Sequence, residues 1–577
     1  MPNKLTALIV LLGCAVLAGC QSRTNVSATG NAPAQFTHVF LTVNEIWFNT
    51  SSTALPTDSS WSKFTLTTPQ TVDLVSLNNG TLSQFASALK LATGTYSQVM
   101  LVLADSTATL TSSAQSSGAA SNDEVDYLDS QSVAHAVPLA VLNAAQGISI
   151  STSLTVAAAA SSGFGAPTTT PQTTTTGTDQ SIATSSGATS SGVASTFSAP
   201  GVSTTSAVID FDATRDLVPI SLSGQAAFAL NPHPQTHDVK YSGNIQGTVS
   251  LAGITTLTAA GLADVQVSAE GLSSDGTRHV IVKTTRVAAD GSFTLYPLST
   301  ASGAPGNYDL VIHGPAIETL IVKSVPVTAG APGTSAAVLG ALTLTNATPY
   351  LVNVNSSSPA SPTSSLVGFY QTLPLSSEVP YLVEMRALDP TSGRFASDQA
   401  VSGGGLQYGT YVSGGIIALT NANPSQGAAT YSIGAINPAY GEGALSTTVA
   451  APGAGTALFT VSAPPLPSGS TANGLTGTLS LASLGTYDNA ELFLTFNGAL
   501  VAAASLKADL GGSQNSLTLT ALAPGGSSSA IYAAGVYNAE VWAWNSANPT
   551  GTLIRVPASI PIDMSAGDAS AAALDIP

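Results

Sequence analysis

Four carboxylates fall within seven residues of this sequence, at Asp123, Glu124, Asp126 and Asp129. Carboxylate oxygens are the ligands that calcium prefers, although this run lacks the spacing and the glycine of an EF-hand loop. The four residues are therefore candidate metal ligands. The alternative is a solvated acidic loop.

A second candidate site is the pair Trp542 and Trp544. Alternate residues of a β-strand lie on one face, so the two indoles could form a flat platform on which sugar rings stack. Aromatic pairs of this kind also stabilise sheets by packing, which is the alternative. The pair is a candidate glycan-binding site.

The chain contains six histidines, and two of them lie close to a carboxylate in His233-Pro234-Gln235-Thr236-His237-Asp238. Prolines exclude the regular helix that would place an i, i+4 pair on one face, so a metal site is the weaker interpretation here. We find no H-E-x-x-H, C-x-x-C, G-x-S-x-G or phosphate-binding P-loop motif.

Asp210 and Asp212 alternate with Phe211, which places both carboxylates on one face of a predicted strand. They could act as a catalytic pair, but capping a turn or pairing with Arg215 is the simpler role. The sequence therefore predicts no enzyme, no catalytic residue and no cofactor.

The N-terminus carries Lys4, an apolar run over residues 5–17, and then Leu17-Ala18-Gly19-Cys20. This segment resembles the signal peptide of bacterial lipoproteins, with the cleavage motif Leu17, Ala18 and Gly19 before a lipidated Cys20. An ordinary secretory signal is the alternative. Gln21 follows where lipoproteins kept at the inner membrane have Asp, so the resemblance implies an outer-membrane lipoprotein and leaves the leaflet open.

Composition predicts an all-β protein. Only 8% of residues are charged, Gly and Pro number 53 and 33, and the formal net charge of −17 disfavours nucleic acid as a partner. Removal of Cys14 with the signal and lipidation of Cys20 leave no cysteine for a disulfide. We predict serial β-sandwich modules of the transthyretin or immunoglobulin type, without substantial helix.

Two segments have the composition of unstructured chain. After a signal peptide at 1–19, residues 20–35 are small and polar, which predicts a lipidated cysteine followed by a flexible tether. Residues 158–206 are rich in Ser and Thr and poor in large apolar side chains, which predicts a disordered insertion. Whether this Thr-rich insertion is glycosylated remains open.

Residues 36–240 resemble a lipoprotein-associated family known as domain of unknown function 4382. The resemblance rests on Val72-Asp73-Leu74-Val75-Ser76-Leu77-Asn78-Asn79-Gly80, on Leu91-Ala92-Thr93-Gly94-Thr95-Tyr96-Ser97-Gln98-Val99-Met100-Leu101, and on Asp210-Phe211-Asp212-Ala213. Thr93 and Met100 depart from the family's usual Pro and Arg. The resemblance implies a β-sandwich and no particular chemistry.

Residues 241–347 resemble the carboxypeptidase regulatory-like, transthyretin-like domain. The landmarks are Gly247-Thr248-Val249, Val265-Gln266-Val267, Asp290-Gly291-Ser292-Phe293 and Gly306-Asn307-Tyr308-Asp309-Leu310. Asp-Gly provides the positive φ of a tight turn, and the following Phe should enter the core. The resemblance implies a seven-stranded accessory sandwich.

A Gly-x-Tyr element recurs along the chain and indicates repeated sandwich modules. It occurs at Gly94/Tyr96, Gly306/Tyr308, Gly409/Tyr411, Gly485/Tyr487 and Gly535/Tyr537. In sandwich domains a tyrosine of this kind can bury its ring and direct its hydroxyl to the backbone. With a joint at Pro464-Pro465-Leu466-Pro467, we predict a β-rich module at 348–465 and a C-terminal sandwich at 474–577.

These observations favour a non-enzymatic outer-membrane lipoprotein that acts as a cell-envelope scaffold or an adhesion and binding module. Its partners would be the membrane, through the N-terminal lipid, and an envelope protein or a glycan. The alternative is a carbohydrate-binding or calcium-dependent surface protein.

Overall fold

The computed structural model of the chain is built almost entirely from β-strands, as the composition predicted. It describes residues 22–106, 108–129, 132–142, 147–157, 204–222, 225–231, 233–250, 254, 262, 264–301, 304, 306–330, 337–356, 366–387, 400–403, 405–422, 430–437, 441–445, 449–450, 457–461, 475–480, 487–496, 499–505, 516–518, 534–545, 554–555, 560–565 and 569–575. Within these ranges no helix has the length and apolarity needed to span a membrane.

Module 1 covers residues 22–241 and has two sheets. Its strands are β1 (Ser22–Asn31), β2 (Phe36–Asn49), β3 (Ser62–Asp73), β4 (Ser83–Leu91), β5 (Gly94–Leu103), β6 (Glu124–Leu128), β7 (Ala134–Val141), β8 (Ile148–Val156), β9 (Thr204–Asp212), β10 (Leu217–Leu222), β11 (Gln225–Leu230) and β12 (Gln235–Asp238). The short helices are α1 (Ser112–Ser117) and α2 (Ala213–Asp216), with 3-10 turns at Leu74–Leu77 and Val239–Tyr241. One sheet has the order β12-β9-β1-β4, and the other has the order β10-β11-β7-β6-β2-β5-β8 with β3 paired to β2.

Module 2 covers residues 242–347 and forms two sheets around one apolar core. Its strands are β13 (Ser242–Ser250), β14 (Gln266–Leu272), β15 (His279–Arg286), β16 (Ser292–Ser299), β17 (Asn307–His313), β18 (Thr319–Pro326) and β19 (Ala337–Thr343). Gly291 has the positive φ predicted for the Asp-Gly turn, and Phe293 is buried in the core. The sheet orders are β16-β13-β19 and β15-β14-β17-β18.

Modules 3 and 4 contain the remaining strands. Module 3 has β20 (Pro349–Ser356), β21 (Leu366–Gln371), β22 (Tyr381–Ala387), β23 (Ala400–Ser402), β24 (Leu406–Thr410), β25 (Thr420–Asn421), β26 (Thr430–Asn437), β27 (Gly441–Glu442), β28 (Val449–Ala450) and β29 (Ala457–Val461). Module 4 has β30 (Leu475–Ser480), β31 (Asn489–Phe496), β32 (Ala499–Ser505), β33 (Ser516–Thr518), β34 (Val536–Trp544), β35 (Ile554–Arg555), β36 (Ile560–Asp563) and β37 (Ala569–Asp575). The predicted joint at Pro464–Pro467 lies outside the described residues.

All four modules share one strand topology, which we describe by positions A to G in chain order. Positions A to G are β1, β2, β3, β4, β5, β8 and β9 in module 1 and β13 to β19 in module 2. In module 3, positions A to E are β20, β21, β22, β23 and β26, position F is β27 or β28, and position G is β29. In module 4, positions A to E are β30 to β34, position F is β35 or β36, and position G is β37. Each module has one sheet of order D-A-G, in which A and G are parallel, and a second of order C-B-E-F. The predicted serial sandwich architecture is confirmed.

The predicted flexible tether at residues 20–35 is wrong. Residues Ser22–Asn31 form β1, which pairs with β4 on one side and with β9 on the other. Small polar residues do not prevent strand formation when two neighbouring strands satisfy the backbone hydrogen bonds. Position A of module 1 therefore begins two residues after Cys20.

The predicted disordered insertion falls mostly outside the described residues. Residues 158–203 are not described, whereas Thr204–Ser206 belong to β9. The insertion thus connects positions F and G of module 1, since β8 ends at Val156.

Modules 2 and 3 are joined by a shared sheet. Strand β24 lies between positions D and E of module 3 and pairs in parallel with β18 at the edge of module 2. Strand β25 continues this sheet beyond β24. The edge of β18 that faces away from β17 would otherwise be exposed, and β24 of module 3 covers it.

Candidate functional site

A group of buried charges begins where β9 ends. Phe211 is fully buried in the core of module 1, so Asp210 and Asp212 lie on the opposite face of the strand. Asp212 caps helix α2, because its carboxylate accepts a hydrogen bond from the Thr214 N–H at 3.0 Å. The capping role predicted for this carboxylate is confirmed.

Asp210 forms a buried ion pair with Lys283 of module 2 and not with Arg215. The side chains of Lys283 and Asp210 are only 3% and 9% exposed. Burial raises the pKa of Asp210, and the Lys283 charge opposes this shift. Because loss of either partner would leave a buried charge unpaired, this contact ties module 1 to module 2.

Asp216, the last residue of helix α2, binds the residue that precedes the helix and the segment that leads into β12. Its carboxylate accepts hydrogen bonds from the N–H groups of Asp212 at 2.9 Å and His233 at 3.0 Å, and it contacts the Arg215 guanidinium at 3.3 Å. Burial raises the pKa of Asp216 to about 6 despite the Arg215 charge. The three contacts fix the polypeptide before it enters β12.

The two histidines of the His233–Asp238 segment are half-buried, and the pKa of each imidazole is lowered. Burial lowers the pKa of His233 to about 3, with a further effect of the Arg215 charge. Burial also lowers the pKa of His237 to about 4, with a further effect of Lys283. Among the described residues, no three His, Cys, Asp or Glu side chains are placed to hold a metal ion.

A second charged group joins modules 2 and 3. Glu384 on β22 contacts His313 Nε2 on β17 at 2.6 Å and also pairs with Arg386. Burial alone would raise the pKa of Glu384, but the charges of Arg386 and His313 outweigh it and lower the pKa.

The same boundary contains a stacked ring pair. The His279 and Tyr381 rings are stacked, with centroids 3.9 Å apart. Nearby, Glu270 of module 2 accepts a hydrogen bond from the Leu382 N–H at 3.2 Å, and burial raises its pKa well above the usual range. Module 3 therefore packs on the outer face of the second sheet of module 2.

The predicted acidic site does not form, because separate backbone groups bind its first two carboxylates. Asp123 is buried and accepts a hydrogen bond from the Thr42 N–H at 2.8 Å, and burial raises its pKa well above the usual range. Glu124 accepts a hydrogen bond from the Ser121 N–H at 2.8 Å.

Of the other two carboxylates, Asp126 lies beside Glu124, whereas Asp129 binds different groups. Burial, with a contribution from Glu124, raises the pKa of Asp126 to about 6. Asp129 contacts His135 Nε2 at 2.9 Å and accepts a hydrogen bond from the Val133 N–H. The four carboxylates thus do not form one cluster. Because no three His, Cys, Asp or Glu side chains in the described part of the chain are placed to hold a metal ion, the calcium-site prediction is wrong.

Trp542 and Trp544 do share one face of β34, but that face is covered. Their side chains are 0% and 4% exposed, so no sugar ring can stack on them. The covering residues come from module 1, on β7, β10 and β11, and form one apolar cluster with module 4. Its members are Ala140, Leu142, Val218, Ile220, Ala227, Ala229, Phe493, Leu500, Ala503, Trp542 and Trp544. The glycan platform is therefore wrong, and the pair packs between the first and last modules.

A buried hydrogen bond reinforces this contact between modules 1 and 4. Asn231 Oδ1 accepts a hydrogen bond from the Leu500 N–H at 2.7 Å, across 269 positions of the chain. Asn231 is fully buried. Sequence inspection did not single out Asn231, since its partner lies in a different module.

Three of the five recurring tyrosines mark position E, whereas Tyr487 precedes the position-B strand β31. Tyr96, Tyr308 and Tyr537 lie on β5, β17 and β34. The hydroxyl groups of Tyr96 and Tyr308 donate to the carbonyls of Ala92 at 3.0 Å and Ser299 at 3.1 Å, as predicted for corner tyrosines.

Module 3 has an equivalent tyrosine that the Gly-x-Tyr pattern missed. Tyr431 lies on β26, at position E, and its hydroxyl donates to the Ser402 carbonyl at 2.8 Å. The sequence has Ala429 in place of glycine, which hides the repeat. Tyr411 follows β24 instead and does not mark position E.

A protein-family model matches part of the chain. Residues 23–232 match the family described as Domain of unknown function (DUF4382). The match begins at the second residue of β1 and includes the buried Asp210–Asp216 segment. The resemblance seen in the sequence is thus confirmed for this region, and the DUF4382 description assigns no chemistry to it.

No curated protein matches the chain. Similar solved structures include the Bacillus anthracis TIE protein, with 9% identity, coverage of 96% of this chain and 72% of that one, and a TM-score of 0.13. A tetra-tandem repeat from the extending region of a large adhesion protein has 10% identity, coverage of 96% and 100%, and a TM-score of 0.09. A streptococcal ancillary pilin has 8% identity, coverage of 78% and 100%, and a TM-score of 0.13. At these scores the similarities carry no argument about function.

Proposed function

We propose that the chain is a non-enzymatic outer-membrane lipoprotein that acts as a cell-envelope scaffold or an adhesion and binding module. The observation that carries this proposal is the use of the buried charged and aromatic groups as contacts between modules. Lys283, Glu384 and Trp542, which could otherwise serve a site, join one module to another. Such a chain is suited to presenting surfaces to partners.

The lipid anchor is part of the proposal. It is supported by Leu17-Ala18-Gly19-Cys20 and by the preceding apolar run. These residues lie outside the described part of the chain. The same holds for the outer-membrane location, which is supported by Gln21.

The second module extends the proposal. Its seven strands and its Asp290-Gly291-Ser292-Phe293 turn support the resemblance to a carboxypeptidase regulatory-like domain. Domains of this type are accessory, which agrees with a role in display and not in catalysis.

Protease treatment of intact cells tests which version of the proposal holds. An adhesion module facing the medium should be degraded on intact cells, whereas a periplasmic scaffold should be degraded only after the outer membrane is opened. Cross-linking in intact cells, followed by purification of the chain, should then recover an envelope protein or glycan. Recovery of the chain from the cytoplasm would contradict both versions.

A further inference from the structure

Module 1 has a distinct end at which position A begins. Ser22 pairs with Leu91, and Gly94 pairs with Val156, so the start of β1, the β4–β5 turn and the end of β8 lie together. Strand β9 also begins here, because Arg23 pairs with Thr204. We name this the A end of module 1.

The loop between β2 and β3 follows the end of β2 that is nearer to the A end. Strand β2 runs toward it, since Val43 pairs with Leu103 whereas the later Asn49 pairs with Gln98. The loop that follows carries Leu55, whose side chain is 64% exposed.

Leu55 is held outward by the packing of its own loop. Trp61 is buried and donates a hydrogen bond from Nε1 to the Leu55 carbonyl at 2.8 Å. The Leu55 N–H donates to the Asp58 carboxylate at 2.9 Å, and the Asp58 N–H donates back to the Leu55 carbonyl at 3.0 Å. The exposed apolar side chain is thus fixed by a rigid turn.

The A end also carries two facing cations. Arg23 on β1 pairs directly with Lys90 on β4, and both side chains are exposed. Neither forms an ion pair with a described carboxylate. Like charges that face each other across a strand pair are destabilising, so an external anion would relieve the repulsion.

The lipid would bring this end to the membrane. Only Gln21 separates Cys20 from Ser22, and one residue spans at most about 3.6 Å. We propose that the A end of module 1 is a membrane-docking face on which Arg23 and Lys90 contact anionic lipid headgroups and Leu55 enters the interface. The proposal rests on the lipid anchor of the proposed function.

Vesicle binding by the full mature chain carrying Cys20→Ser, and hence no lipid, tests this face. The vesicles contain equal parts of phosphatidylglycerol and phosphatidylcholine, and pure phosphatidylcholine is the comparison. We expect binding to the anionic vesicles, with a loss of about fivefold for Arg23→Gln or Lys90→Gln. Arg278→Gln removes the same charge from the β14–β15 turn of module 2 and should leave the affinity unchanged. Equal losses for all three variants, or no preference for anionic vesicles, would overturn the proposal.

A fluorescent label tests the contribution of Leu55. In the Cys20→Ser mature chain, Leu55→Cys introduces a unique cysteine that can carry an environment-sensitive dye. The dye should shift to the blue when anionic vesicles are added, whereas the same dye at Leu272→Cys, on a leucine that is 62% exposed, should not. Similar shifts at both positions would contradict an oriented face.

The two proposals can fail separately. Labelled palmitate on the natural chain without headgroup-dependent vesicle binding would keep the anchor and overturn the docking face. Vesicle binding through Arg23 and Lys90 without palmitate would keep the face and overturn the anchor.

Discussion

Lys283 of the second module forms a buried ion pair with Asp210 of the first, so a single contact couples two sandwiches. Replacing Lys283 with Met should destabilise the protein by about 3–5 kcal/mol, because Asp210 would remain buried without a partner. Asp210→Asn together with Lys283→Met should cost much less than the sum of the two single changes. Urea unfolding of the four proteins measures this coupling, and additive effects would exclude it.

The pH dependence of stability should depend on His237. Its pKa is about 4 in the folded protein and about 6.5 in an unfolded chain, so the unfolded state binds protons more readily between these values. Stability should therefore decrease as the pH falls through this window, and His237→Gln should reduce the slope. Unfolding free energies measured from pH 7 to pH 4 test this, and an unchanged slope would contradict it.

Asp216 should change the pH dependence of stability in the opposite direction to His237, over an overlapping pH range. Its folded pKa of about 6 lies above the unfolded value of about 3.9, so its contribution to stability is present at low pH and is lost as the pH rises. Asp216→Asn thus provides a control for the histidine measurement, because it should change the slope in the opposite direction.

Trp542 should behave as a core residue. Trp542→Ala should destabilise the protein by about 3–5 kcal/mol, since it leaves a cavity between modules 1 and 4. Leu272→Ala, at an exposed leucine, should change stability by less than about 0.5 kcal/mol. Thermal unfolding distinguishes the two, and a tolerated Trp542→Ala would contradict the packing of module 4 on module 1.

The tryptophan pair illustrates what sequence can and cannot provide. Alternation correctly placed Trp542 and Trp544 on one face of a strand, but β7, β10 and β11, which cover that face, lie hundreds of positions earlier. Local pattern fixes the side of a strand on which a residue lies. It does not say which distant element packs there.

The predictions of a flexible tether and of an acidic calcium site are wrong for related reasons. Residues 22–31 have a composition typical of a linker, yet β4 and β9 provide both of its neighbours in the sheet. Asp123 and Asp129 are close in sequence, yet Thr42 and His135 bind them separately. The all-β class was predictable because strand alternation and turn residues are local, whereas pairing partners are not.

The position-E tyrosines should contribute similar amounts of stability in different modules. Tyr431→Phe removes the hydrogen bond to the Ser402 carbonyl, and Tyr308→Phe removes the one to Ser299. Each change should cost about 0.5–1.5 kcal/mol, since the ring still packs. Chemical unfolding tests the equivalence, and no effect at Tyr431 would argue against a shared structural role.

The central claim is that Cys20 anchors this series of sandwiches to the outer membrane. Growth of cells producing the chain with labelled palmitate, followed by membrane fractionation, tests it most directly. We predict label on the natural chain in the outer-membrane fraction, and an unlabelled chain that leaves this fraction when Cys20 is replaced with Ser. An unlabelled natural chain, or label that persists in Cys20→Ser, would contradict the claim.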